Sequence, residues 1–77
     1  MSEPPFPLPP ASLEFLIFSL RAEAEVQMMD RDAELARHSI DMLAILQEKT
    51  RGNLTRDEQQ LLDSTLTELR LRFVQTS

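Results

Sequence analysis

His38 is the only histidine in the chain, with Glu34 four residues before it and Asp41 three after, so a helix would bring all three to one face. An imidazole beside two carboxylates is part of the vocabulary of a metal site, but three such donors are too few to specify one. The plainer role is a histidine at the edge of an apolar arc, balanced by nearby negative charge. The chain has no cysteine, and Ser12, Ser39 and Ser64 have no base partner beyond His38. The remaining carboxylates all fit solvated helix faces. The expectation is a protein that is not an enzyme, with no catalytic residue, no metal site and no cofactor. Lys49, Arg51 and Arg56 gather around Gly52, where free helix amides could add to an anion site. Compensation of a helix C-terminus explains the same charges. Asn53-Leu54-Thr55 matches a glycosylation acceptor, yet Thr55 already has a structural role as a cap.

The elements that hold these residues are helices. All five prolines lie in residues 2–10, where fixed φ and missing backbone donors predict an extended, Pro-rich arm over residues 1–11. Pro4, Pro7 and Pro10 have PxxP spacing, which could engage an aromatic groove. Laying Phe6 and Leu8 onto the protein's own assembly is an equal use for the arm. Residues 12–77 form a single helical domain. Ser12 reads as an N-cap, and the Gly- and Pro-free run that follows predicts a helix over 13–29. Asp30-Arg31-Asp32 is a polar break with Asp32 as a second N-cap, although one helix continuous through these residues is the other reading. A second helix is predicted over 33–51, stopped by Gly52 as a left-handed C′ residue. Thr55 and Glu58 have the spacing of a capping box that opens a third helix over 56–74.

Advancing 100° per residue shows how many surfaces each helix must bury. The third helix has one narrow stripe, Leu62, Leu66, Leu69 and Phe73. The second is broader, with Leu35, Ala36, Ile40, Met42, Leu43 and Leu46 over about half its circumference. The first carries two stripes. Leu13, Leu16, Ile17, Leu20, Ala24 and Met28 share one face, and Phe15, Phe18, Ala22, Val26 and Met29 share the opposite one. A helix apolar on two faces must be covered on both. Helices two and three could sandwich it within one chain. A second copy is the other cover, favoured because Ile45, Leu61 and Leu71 also lie off the main stripes and monomers seldom expose so much apolar surface.

With 77 residues the chain has room for one domain, whose core alone supplies no more than roughly 3–5 kcal/mol. Without cysteine there is no disulfide staple, so a partner chain is the staple left. The segment MSEPPFPLPP lacks the basic and apolar regions of a signal peptide, which predicts a cytoplasmic protein. A formal charge of −5 and a pI near 4.7 argue against nucleic acid or an anionic membrane as partner.

The stretch from Leu35 to Gln75 resembles a bacterial domain-of-unknown-function family numbered 1844. The pieces that carry the likeness are LARHSID, LAILQEKTRGNLT, the DEQQLLD run and ELRLRFVQ, and LEFLIFSL is similar to the family's first helix. The family tends to have a longer leader and a Pro- and Gly-containing loop between its first two helices. Here a short arm and Met29-Asp30-Arg31-Asp32 stand in their places. The resemblance implies a bacterial cytoplasmic protein and supplies no activity.

The sequence therefore predicts an all-α, three-helix chain packing into an oligomeric helical bundle. Its expected function is a non-enzymatic homo-oligomeric interaction module, a homodimer or higher homo-oligomer whose remaining surface or arm meets another protein. Phe6, Leu8, Phe15, Phe18, Ala22, Val26 and Met29 are the interface residues. The alternative is a small-ligand or metal-binding helical protein with its site at the subunit interface, centred on Glu34, His38 and Asp41.

Overall fold

The computed structural model describes residues 8–76, which contain three helices and no strand. Helix α1 spans Leu13–Met29, α2 Ala33–Lys49 and α3 Arg56–Thr76. Ser12 caps α1, its hydroxyl accepting from the Phe15 amide at 3.0 Å.

The break after α1 is a true turn, so α1 and α2 are separate helices. Arg31 N–H donates to the Met28 carbonyl at 3.1 Å and Asp32 N–H to the Gln27 carbonyl at 2.9 Å. This pair of bonds closes a Schellman end, and it requires the residue between them to be left-handed. Arg31 takes that place at φ 58°, where glycine is usual. Asp32 then starts α2 at once, its carboxylate accepting from the Leu35 amide at 3.1 Å.

Helix α2 ends two residues before the predicted Arg51. Thr50 caps it, turning its hydroxyl onto the Leu46 carbonyl at 2.7 Å, and its own carbonyl accepts from Asn53 N–H at 2.9 Å. The second bond makes a β-turn whose third residue is Gly52 at φ 86°. Glycine is thus needed as expected, one residue further from the helix than the C′ place. Thr55 and Glu58 form the capping box in both directions, amide to carboxylate at 2.8 Å and amide to hydroxyl at 3.2 Å. With no glycine or proline after it, α3 continues past the predicted Val74 to Thr76.

The core is Ile17 and Ala24 of α1, Ile40 and Leu43 of α2, and Leu62, Leu66 and Leu69 of α3. Half-buried Leu13, Leu20, Met28, Leu46 and Phe73 close around it. The buried arc of α2 is narrower than its apolar residues suggested. Leu35 and Met42 are exposed, and Ser39 is buried instead because its hydroxyl donates to Gln27 Oε1 of α1 at 2.7 Å. Leu16 of α1 is exposed as well, whereas Thr65 of α3 is buried with no hydrogen-bond partner for its hydroxyl.

Direction follows from the polar pairs. Arg21 meets Glu68 at 3.0 Å, and one turn further along both helices Glu25 meets Arg72 at 2.6 Å, so α1 and α3 run parallel. The short turns fold α2 back against both, and Gln47 donates to Asp63 of α3 at 2.5 Å. The three helices pack pairwise, each against the other two, in a bundle of 38 × 34 × 16 Å. Each helix therefore keeps one face toward solvent.

Candidate interaction surface

The two stripes of α1 have different fates. Ile17 and Ala24 are fully buried on the inner face, and Leu13, Leu20 and Met28 pack beside them. On the outer face Phe15, Phe18, Ala22, Val26 and Met29 are all exposed, and none belongs to the core that α1 forms with α2 and α3. The sandwich of α1 by its own chain is therefore not what this sequence forms.

The five outer residues occupy an arc of about 80° on α1 at 100° per residue. Phe18 is 50% exposed, Val26 54% and Met29 80%, the last a flexible apolar side chain standing almost entirely in solvent. Ser19 lies at the edge of this arc and is locally satisfied, its hydroxyl donating to the Phe15 carbonyl at 2.9 Å. At the N-terminal end Phe15 and Phe18 join Pro9, Pro10, Ser12 and Glu14 in lining an open, largely apolar recess. Leu8 is exposed just before it, and Phe6 lies outside the described residues.

One border of the face is charged. Arg21 holds Glu25 at 3.4 Å and Glu68 at 3.0 Å, and Arg72 holds Glu25 from α3. Such surface pairs are worth only about 0.2–1 kcal/mol each. Their effect here is positional: they hold both carboxylates at the α1–α3 seam. Sequence reasoning missed this border. The Arg21–Glu25 spacing is visible in one helix, but a partner 47 residues away has no local signal.

The other candidates disperse. Glu34, His38 and Asp41 are exposed on α2, and among the described residues no group of three or more histidine or carboxylate side chains is placed to hold a metal ion. Lys49, Arg51 and Arg56 are exposed around the Gly52 turn. No helix among the described residues is long and apolar enough to cross a membrane.

A family model described as a domain of unknown function (DUF1844) matches residues 10–75. The chain belongs to this family. The match takes in all of α1 and α2 and nearly all of α3, so the doubly apolar first helix and the Arg31 turn lie within the family's domain. No curated protein and no solved structure matches the chain.

Proposed function

We propose that this member of the DUF1844 family is a non-enzymatic, cytoplasmic interaction module that works as a homo-oligomer. One observation carries the reading: the outer face of α1 presents Phe15, Phe18, Ala22, Val26 and Met29 in a single uncharged arc that the chain's own helices leave open. Burying a large apolar side chain is worth roughly 1.5–3 kcal/mol, which is substantial beside the small core of a 77-residue chain. Self-association supplies the staple that disulfides do not. The negative charge of the chain directs it toward protein rather than nucleic acid or anionic lipid.

Light scattering and thermal melts over a concentration series test the reading. The parent should run above monomer mass, and its melting temperature should rise with concentration by mass action. Phe18→Glu should dissociate or unfold, because it sets an unpaired carboxylate in the contact. A parent that stays monomeric at high micromolar concentration, with Phe18→Glu equally stable, would refute the proposal.

A further inference from the structure

The outer face of α1 has a spacing that reads the same in both directions. Phe15, Phe18, Ala22, Val26 and Met29 follow one another at intervals of three, four, four and three residues, with the smallest side chain in the middle. A two-fold axis makes an isologous contact, in which a residue on the axis meets its own copy and every other pairing occurs twice. Such an axis through Ala22, perpendicular to the helix, would set Ala22 against its own copy, Phe18 against Val26 and Phe15 against Met29. Alanine at the crossing lets two helix axes approach to about 8 Å, and the larger residues then close both ends.

The shapes at those ends are complementary. Met29, 80% exposed, is the most protruding of the large apolar side chains, and it would meet the end of the other copy where Phe15, Phe18, Pro9 and Pro10 line a recess. A methionine is suited to an irregular recess, having three rotatable bonds and a polarizable sulfur. The area is near the floor for a specific contact. At the exposures observed for Phe15, Phe18, Val26 and Met29, full burial of the face removes on the order of 450–500 Å2 per copy, so two copies approach the ~1000 Å2 minimum of a biological interface and the rim adds the rest.

We infer that the partner of this face is a second copy of the chain, docked as an antiparallel α1–α1 pair on a two-fold axis at Ala22. The inference rests on the homo-oligomer reading through this face and adds the direction and the register. Absence of cysteine from the chain makes the test clean. Single variants Ala22→Cys, Phe18→Cys and Val26→Cys are oxidised under mild conditions and run on non-reducing gels beside light scattering of the reduced proteins. Disulfides need Cα atoms about 4.4–6.8 Å apart, which only Ala22 offers to its own copy. Val26 and its copy would be eight residues out of register, about 12 Å along the axis. The expected pattern is a near-complete disulfide dimer for Ala22→Cys, little for Phe18→Cys or Val26→Cys alone, and strong cross-linking when those two are mixed. Circular dichroism confirms that each variant is folded. A parent of dimer mass whose Ala22→Cys form does not cross-link would overturn the two-fold at Ala22 and leave the homo-oligomer reading standing. Cross-linking of all three single variants would show parallel helices and overturn it too. A monomeric parent would overturn both.

Discussion

Thr65 is buried to 1% exposure in the middle of α3, and its hydroxyl meets no hydrogen-bond partner. Thr65→Val replaces that hydroxyl by a methyl group of nearly the same shape, keeps the β-branch, and changes helix propensity very little. A buried polar group left without a partner costs about 1–3 kcal/mol, and an added buried methyl contributes about 0.8 kcal/mol more. Repacking around the new methyl takes back part of these terms, so the expected gain is about 1–2 kcal/mol. For a domain of this size that raises the melting temperature by about 5–10 °C. Thermal circular dichroism at matched protein concentration measures it, since self-association alone would move the midpoint. Thr65→Ser keeps the hydroxyl, loses the methyl and should melt below the parent. If Thr65→Val also melts below the parent, the hydroxyl has a partner and the burial argument is wrong.

Arg31→Gly should stabilise the chain by up to about 1 kcal/mol in a urea titration, because φ 58° costs an arginine more than a glycine; a lower midpoint would show that the side chain itself is needed. Gly52→Val should lose more than about 1 kcal/mol in the same assay, purely through φ 86°, since a Cβ there has open space around it; an unchanged midpoint would dismiss the turn. Thr55→Ala should cost roughly 0.5–2 kcal/mol by removing the hydroxyl that accepts the Glu58 amide, and parent-like melting would mean that the cap contributes nothing. Zn2+, Mn2+ or Fe2+ should leave the melting temperature unchanged and His38→Ala should stay folded; several degrees of stabilisation by one metal, lost in His38→Ala, would reverse that.

The helix starts were legible because their signals are local. Ser12, Asp32 and Thr55 with Glu58 each act within three residues of their own position, and all are used as expected. The end of α1 was harder to read, for its closure uses Arg31 in a conformation whose usual sequence mark is glycine. Periodicity identified Ile17, Ala24, Leu43, Leu62, Leu66 and Leu69 as core, and it separated the outer face of α1 from the inner one. It overestimated α2, because a wheel shows which residues are apolar and not which half of a wide arc meets a neighbour. Ser39 lies nearer the centre of the buried arc than Leu35 or Met42, and a bond to Gln27, a partner on another helix, satisfies its hydroxyl there. The Arg21, Glu25, Glu68 and Arg72 border was illegible for the same reason.

The parallel course of α1 and α3 also decides how the molecule would bear mechanical load. Leu13 and Thr76 lie at opposite ends of the bundle, so tension between them drags α1 and α3 past each other along their lengths. Arg21–Glu68, Glu25–Arg72 and the leucines between those helices would then resist together, as a seam in shear, whereas two antiparallel helices pulled from the same end would peel one turn at a time. Rupture under force is governed by the unfolding rate rather than by equilibrium stability. A chain of modest stability can therefore hold tension along this axis better than across it.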